Sequence, residues 1–363
     1  MRNKKNKNKK LPMAVLFIVL ILLGAFAYYN KGFLRFSTVS DNYVFDYETG
    51  QNYQFAVQEG RIISLNSEGL ICANQKGKEL WRISKQLSKP SMQTVGGYTL
   101  LYDRGGRDIA AYSGNTLLWE KKTEQPIITA KINEKGYCGI VTYEIGYKGK
   151  IEISNDKGEL IYSWKLGENY VVDVDISPDC KYFAAATIST NASNVASKVT
   201  VVDIDGERVS GETLREDSLI MSIKYQSNGN LFALAEGELV GISPKGEQKW
   251  VVSFEERQLQ KFKLPYDTSI VLSFIGSRNN SILEVYSKDG KKTGEFISEN
   301  EIKAVDVLDG EVLISQQSKA ILLSLKGRVI AQADTGREIR GVFLMSNRKA
   351  AAVIGNAVKI IKL

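Results

Sequence analysis

The chain has 363 residues, of which 43% are hydrophobic and 25% charged, so it can build an ordinary globular core. It contains no histidine, which removes the usual general base, the usual activator of a serine or cysteine nucleophile and the commonest metal ligand. The net charge of +7 is local, because six of the 48 basic residues lie in residues 1–30 without an acid, leaving 42 bases against 41 acids. This balance argues against nucleic-acid binding, which needs clustered Lys and Arg.

The N-terminal residues predict a cytoplasmic tail and one membrane-spanning helix. Residues 1–10 (MRNKKNKNKK) are strongly basic, and residues 11–29 are uncharged and would be about 28 Å long as a helix, close to the hydrocarbon thickness. The basic flank predicts that the tail stays in the cytoplasm and that the rest of the chain is exported. A cleaved signal peptide is the alternative, because AFA at 25–27 has the pattern of a cleavage site. With residues 30–40 as a short linker, the predicted location is the cell membrane, with the exported domain close to its surface.

A repeated hairpin follows from residue 41 onward. Each copy has an apolar strand, a turn that contains glycine, and a second strand that often holds an aromatic residue. Successive turn glycines are 37 to 48 residues apart. A unit of about 42 residues with four short strands and period-two alternation is typical of a β-propeller blade. Glycine is expected at these turns because a tight hairpin needs a positive φ. The turn glycines are Gly77, Gly114, Gly158, Gly206, Gly246, Gly290 and Gly327.

The two ends of this region predict how the ring closes. After the last hairpin the chain provides three more strands (IRGVFLMSN, RKAAAVIGN and AVKIIKL), and the early segment at 43–50 (YVFDYETG) lacks a partner of its own. If the early segment completes the last sheet, two open sheet edges disappear. The sequence therefore predicts an all-β extracytoplasmic propeller over residues 41–363, with eight four-stranded blades and seven as the alternative.

Two kinds of short motif resemble known propeller repeats. The stretches NQKGKELW (74–81) and SPKGEQKW (243–250) resemble the hairpin of quinoprotein-like (PQQ-like) repeats. The stretch SPDCKYFAAA (177–186) resembles a strand start of WD40- and TolB-like repeats, with Cys180 at the usual glycine. The whole layout also looks like an uncharacterised family of membrane-anchored propellers from Gram-positive Clostridia-like bacteria.

This resemblance implies a fold and no cofactor. Quinone-dependent dehydrogenases pair adjacent cysteines with calcium-binding acids, and this chain has no adjacent cysteines. Its three cysteines lie far apart in or beside apolar segments, which predicts inert buried thiols. They are Cys72, Cys138 and Cys180.

One position in the first strand of five blades is charged and lies between apolar neighbours. Because the first strand of a propeller blade lines the central channel, these residues predict a charged ring that binds an anion or a small polar ligand. The structural alternative is that Asp175 pairs with Lys131 or Lys224, and Asp306 with Lys263, since buried charges need partners. The candidate ring consists of Lys131, Asp175, Lys224, Lys263 and Asp306.

The sequence favours a binding or scaffold module for an envelope protein, a peptide or a wall polymer. No catalytic set can be assembled from it, so it is not expected to be an enzyme. The alternative is a carboxylate-dependent enzyme acting on extracellular carbohydrate, which would need two acids about 5–9.5 Å apart. Asp173, Asp175 and Asp179 lack the full pattern of a calcium loop, so no metal is expected.

Overall fold

The computed structural model describes residues 43–47, 53–189, 195–277, 280–345 and 348–363. These residues form 32 strands in eight antiparallel sheets of four strands each. The predicted cytoplasmic tail, membrane span and linker lie outside the described residues. Within the described ranges, no helix is long and apolar enough to cross a membrane.

The first strand, β1 (Tyr43–Asp46), belongs to the last sheet, and the next sixteen strands form blades 1 to 4 in chain order. In each blade we label the strands A to D from the channel outward. Blade 1 contains β2 (Gln54–Gln58), β3 (Arg61–Asn66), β4 (Gly69–Ala73) and β5 (Glu79–Ser84). Blade 2 contains β6 (Pro90–Val95), β7 (Tyr98–Asp103), β8 (Asp108–Ser113) and β9 (Thr116–Lys122). Blade 3 contains β10 (Ile127–Ile132), β11 (Cys138–Thr142), β12 (Gly149–Ser154) and β13 (Leu160–Leu166). Blade 4 contains β14 (Tyr170–Ile176), β15 (Tyr182–Ser189), β16 (Ala196–Asp203) and β17 (Arg208–Glu216).

Blades 5 to 7 repeat this order, and blade 8 is completed from the start of the chain. Blade 5 contains β18 (Ile220–Tyr225), β19 (Leu231–Ala235), β20 (Glu238–Ile242) and β21 (Gln248–Ser253). Blade 6 contains β22 (Leu259–Lys263), β23 (Ile270–Ile275), β24 (Ser281–Tyr286) and β25 (Lys292–Ser298). Blade 7 contains β26 (Ala304–Leu308), β27 (Glu311–Gln316), β28 (Lys319–Ser324) and β29 (Val329–Asp334). Blade 8 contains β30 (Ile339–Met345), β31 (Lys349–Ile354) and β32 (Ala357–Lys362), with β1 as its D strand.

The ring closes by pairing the two ends of the propeller. Strand β1 lies antiparallel to β32, with Tyr43 opposite Lys359 and Asp46 opposite Ala357. The N–H of Tyr47 then donates to the carbonyl of Asn356 at 2.8 Å. The prediction of eight blades with mixed closure is therefore confirmed, and the seven-blade alternative is wrong.

The core is divided into eight apolar clusters, and each cluster lies between two neighbouring blades. Ile151 and Ile153 of blade 3, for example, pack with Val174 and Phe183 of blade 4. The last cluster joins Met345 of blade 8 to residues of blade 1. Because each junction between neighbouring blades, including blade 8 to blade 1, buries an apolar cluster, no blade presents an open face to water.

The turn glycines are explained by backbone conformation and by packing. Six of the seven predicted glycines have positive φ, and at Gly206 the left-handed position is taken by the next residue, Glu207 (φ 48°). A Cβ on Gly158 would lie 2.7 Å from the ring of Trp119 in the preceding blade, and a Cβ on Gly290 would lie 2.5 Å from Trp250. These D-strand tryptophans therefore pack on the turn of the next blade, where only glycine leaves room.

The strand directions separate the connections into two faces. The A–B and C–D turns lie on one face, which we call the hairpin face. The B–C and D–A connections lie on the opposite face, which we call the loop face. Strand β1 runs from the hairpin face to the loop face, because it is antiparallel to β32. The described chain therefore enters the propeller at the hairpin face.

Candidate functional site: the channel wall and the loop face

The five candidate ring residues all lie on A strands, four of them near the end that meets the hairpin face and Asp306 in the middle of its strand. They belong to five consecutive blades, from blade 3 to blade 7. The cross-strand partners of Lys131, Lys224 and Lys263 (Gly139, Phe232 and Val271) lie at or near the start of the following B strand. The sequence thus located one arc of the channel wall correctly, and the remaining three blades carry no charge at this position.

The two aspartates of the ring connect neighbouring blades. Asp175 is 1% exposed, and its Oδ2 accepts the backbone N–H of Tyr225 at 2.6 Å and lies 3.5 Å from Lys224 Nζ. Asp306 makes the equivalent link three blades further around the ring, from blade 7 to blade 8: Oδ2 accepts the N–H of Leu344 at 2.7 Å, and Oδ1 lies 2.7 Å from Nζ of Lys263 in the preceding blade. The predicted pairing of these charges is confirmed. Each carboxylate joins the A strand of its own blade to the A strand of the following blade.

Lys131 does not pair with Asp175, which was its predicted partner, but with Asp173. Its Nζ lies 2.5 Å from Asp173 Oδ2 and also donates to the carbonyl of Ile223 at 2.9 Å. The same oxygen of Asp173 accepts the N–H of Ile223 at 2.9 Å and the hydroxyl of Ser222 at 3.0 Å. Asp173 lies two residues before Asp175 on the same strand, which places both side chains on one strand face.

Two further polar residues of the wall were missed. Gln93 Oε1 accepts the N–H of Ile132 at 2.8 Å, so an uncharged side chain makes the same inter-blade link in blade 2. Glu134 follows Lys131 in the A–B turn of blade 3 and is half-buried. Burial raises the pKa of Glu134; nearby Lys224 opposes this rise and Asp175 adds to it. No charge pattern in the sequence singled out either residue.

This geometry limits what the ring can do. Each of its three lysines is in an ion pair, so the positive charge that would attract an anion is neutralised inside the wall. Only Lys263 keeps much exposure (42% of its side chain), and with Asp306 it lines a cavity of about 630 Å³ whose apolar side includes Phe343 and Leu308. No group of three or more acidic or cysteine side chains in the described ranges could hold a metal ion. Binding of a ligand by the ring stays a prediction.

The three cysteines are free. Cys72 and Cys138 are buried as predicted, and burial raises the pKa of the Cys138 thiol to about 12. The prediction of full burial is wrong for Cys180, which is half-buried at the hairpin face, where it occupies a left-handed turn position (φ 65°). Its thiol accepts a hydrogen bond from Asn133 Nδ2 at 3.2 Å.

Exposed apolar side chains are distributed unequally between the two faces. Outside the D strands, the described residues include nine large apolar side chains that are exposed. One of them, Leu308, ends an A strand at the hairpin face. The other eight lie in loops or strand ends of the loop face, or line its cleft: Tyr143, Ile145, Tyr147, Tyr170, Val195, Met221, Phe262 and Ile275.

The cleft on the loop face lies between blades 5 and 6 and has a volume of about 650 Å³. Its floor contains Met221 and Phe262, and two acids, Glu236 and Glu256, lie at its edge. The sequence offered no signal for this cleft, because its walls come from connections and strand ends that are up to about 40 residues apart.

The eight four-stranded sheets and the closed ring define this protein as an eight-bladed β-propeller. Similar solved structures include the computationally designed protein Ika8, at 11% identity, a TM-score of 0.67 and coverage of 89% of this chain and 100% of that one. The C-terminal WD40 domain of Sif2 has 11% identity and a TM-score of 0.65, with 90% and 99% of the two chains covered. BamB from Moraxella catarrhalis has 12% identity and a TM-score of 0.52, with 90% and 98% covered.

At these identities the likeness concerns the fold alone. The particular family is clear from the sequence: the chain belongs to DUF5711, a family of unknown function, whose pattern matches residues 32–363. No curated protein matches the chain in sequence.

Proposed function

We propose that this protein is a binding or scaffold module, anchored in the cell membrane by residues 11–29, whose loop face holds an envelope protein, a peptide or a wall polymer. The observation that carries the proposal is that, outside the D strands, eight of the nine exposed large apolar side chains among the described residues lie on that face or line its cleft. Contiguous exposed apolar surface is costly in water and commonly marks an interaction site. The WD40-like architecture is compatible with this use, although fold alone does not assign a function.

Two exposed tyrosines, one in blade 3 and one in blade 4, are held in place by neighbouring charges. Lys165 Nζ lies 5.4 Å from the ring centre of Tyr147 and 2.8 Å from Glu144 Oε1. Lys148 Nζ donates to the hydroxyl of Tyr170 at 3.1 Å and lies 4.7 Å from the centre of its ring. Rings that are fixed before binding lose little conformational freedom when a partner covers them. Tyrosine is enriched at protein interfaces for this combination of apolar and polar contact.

The face at which the chain enters the propeller supports an orientation in which the loop face is turned away from the membrane. Since β1 begins at the hairpin face, an anchor that precedes it would keep the hairpin face toward the membrane and leave the loop face turned away. A partner in the envelope could then reach the loop face without competing with lipid headgroups.

The proposal includes no catalytic step. The oxygens of Asp173, Asp175 and Asp306 are occupied by backbone N–H groups and lysines inside the wall. Such carboxylates are used to connect blades, which leaves them poorly placed to exchange protons with a substrate.

The test is cross-linking of the full chain in its native cells, followed by mass spectrometry. We expect one dominant envelope partner, recovered equally with a Leu308→Asp variant on the hairpin face and lost with Ile145→Asp on the loop face. Absence of any partner, together with a glycan or small molecule retained on the purified protein, would overturn the proposal and favour the carbohydrate-active alternative.

The membrane topology has its own test. A Glu68→Cys variant places an exposed thiol on the loop face. A membrane-impermeant maleimide should label it in intact cells, above the background of the unchanged chain with its three native cysteines. Labelling that requires permeabilised cells would show that the propeller is not exported.

A further inference from the structure

We infer that the loop-face cleft between blades 5 and 6 binds a segment of a partner protein in which a large apolar residue is flanked by Lys or Arg. This inference rests on the proposed function and names the chemistry of the partner at one place on the loop face.

The floor of the cleft supplies the apolar half of the recognition. Leu219 directly precedes the A strand of blade 5 and Met221 lies at the start of that strand, while Leu259 and Phe262 come from the A strand of blade 6. Met221 is 38% exposed and Phe262 is 41% exposed, so both side chains keep apolar area that a partner can cover. A volume of about 650 Å³ falls in the usual range for sites that enclose a compact group. It can receive one or two large side chains.

The edge of the cleft supplies the charge. Glu236 lies in the turn between β19 and β20, and Glu256 lies in the connection between β21 and β22. Both are exposed, and within the described part of the chain neither forms an ion pair. Asp217 and Glu255, in the two adjacent D–A connections, are exposed acids as well. The cleft therefore combines an apolar floor with an acidic edge, which favours a cationic segment over a neutral or acidic one.

The one cation among the described residues that line the cleft does not cancel this charge. Arg257 follows Glu256 directly, but its Nη1 lies 2.9 Å from Glu284 Oε1, and its guanidinium lies 4.3 Å from the ring centre of Phe274. Glu284 is buried. Arg257 is thus held inside blade 6 by an internal acid and an aromatic ring, and the acids at the edge remain available to a partner.

The connection that carries Glu256 is anchored below the cleft. Phe254 is fully buried, its carbonyl accepts Arg257 Nε at 3.0 Å, and Ser253 Oγ accepts the N–H of Glu255 at 3.2 Å. Glu255 and Glu256 are both left-handed, with φ of 50° and 66°. Because these contacts fix the loop from beneath, the acidic edge is in place before a partner arrives, which lowers the entropic cost of binding.

The experiment introduces the photo-reactive amino acid p-benzoylphenylalanine into the full chain in native cells, at Met221 in the cleft or at Ile145 elsewhere on the loop face. After irradiation, the cross-linked peptides are sequenced by mass spectrometry. We expect the peptides captured at Met221 to contain a large apolar residue flanked by Lys or Arg. The double change Glu236→Lys with Glu256→Lys should reduce their yield at least tenfold. The matched change Glu247→Lys with Asp289→Lys, two exposed acids of the hairpin face, should leave the yield unchanged.

The outcomes separate this inference from the proposed function. Capture at Ile145 without capture at Met221 would overturn the cleft assignment and leave the binding module standing. The same holds if the segments captured at Met221 are acidic, if they come from a second copy of this chain, or if the yield survives charge reversal. No capture at either position would overturn both. If the charge-reversed chain fails to fold, as judged by protease resistance, Glu236→Gln with Glu256→Gln should still lower the yield, and an unchanged yield would overturn the inference.

Discussion

The channel wall and the loop-face cleft both place carboxylates beside apolar residues, but the carboxylates of the wall are buried and paired while those of the cleft are exposed. In the wall, Asp175 is 1% exposed and its oxygen is held by a backbone N–H and a lysine. At the cleft, Glu236 and Glu256 are exposed and have no cationic partner among the described residues. The free energy of removing a charge from water must be offset, so a buried carboxylate is tied to the structure that compensates it. A carboxylate that stays exposed to water can instead form an ion pair with a partner protein. The role of a charged residue in this protein is therefore indicated better by the groups it contacts than by its position in the repeat.

The largest effect on stability is expected at Asp175. Asp175→Ala leaves the N–H of Tyr225 without its acceptor and Lys224 without its counter-charge, and breaking one side of a buried pair costs about 3–5 kcal/mol. The free energy of unfolding from a urea titration measures this loss. Asp175→Asn is the matched control, because its amide oxygen can still accept the N–H, and it should lose less. A loss below about 1 kcal/mol for the alanine variant would mean that the link is not structural.

A smaller loss is expected at Asp306, which makes the equivalent link in blade 7. Lys263 has a side chain that is 42% exposed, so it can return to water when its partner is removed. Asp306→Ala should therefore cost about 1–3 kcal/mol, mainly from the N–H of Leu344 that loses its acceptor. The same urea titration ranks the two variants. If Asp306→Ala costs more than Asp175→Ala, burial does not control these links.

A weaker, pH-dependent effect on stability is expected at Glu134. This residue is half-buried, with an exposure between that of the buried Asp175 of the wall and that of the exposed acids of the cleft. Burial raises its pKa above the ordinary value of 4.5, and Lys224 only partly opposes this. A carboxyl group with a raised pKa in the folded state contributes stability that is present below its unfolded pKa and is lost as the pH rises through its folded pKa. The free energy of unfolding of the unchanged chain, relative to Glu134→Gln, should therefore fall as the pH rises above the ordinary carboxyl pKa of 4.5. A difference that rises with pH would show that attraction to Lys224 dominates.

The smallest change in stability is expected on the loop face. Ile145 is 80% exposed, so Ile145→Ser should change the free energy of unfolding by no more than about 0.5 kcal/mol while it weakens partner capture. Ile140→Ala in the same blade is the control, because this fully buried residue should cost about 2–5 kcal/mol. Unfolding and in-cell cross-linking are measured on the same variants. A large loss of stability from Ile145→Ser would mean that this residue supports the fold and not an interface.

Most of the charged residues of the channel wall could be predicted from the sequence, whereas the exposed apolar residues of the loop face could not. The repeated position of Lys131, Asp175 and Lys224 between apolar neighbours predicted that they occupy equivalent positions on the first strands of their blades, along the wall of the channel. The choice of Asp173 for Lys131 could not be predicted, because two acids two residues apart on one strand face are equivalent until the distance to the neighbouring blade is known. Tyr143 and Ile145 are also ambiguous, since a short apolar segment in a sequence is equally compatible with a buried strand and an exposed loop.

By itself the sequence determined the strand pattern and favoured eight blades with mixed closure over seven, because turn glycines and period-two alternation are local signals that each hairpin carries in its own residues. Only the tertiary structure decided which charges are neutralised and which apolar residues remain exposed. Those outcomes depend on contacts between neighbouring blades, such as the bond from Tyr225 to Asp175 across 50 residues of chain. Distances of that kind arise from the curvature of the closed ring, which no single repeat contains.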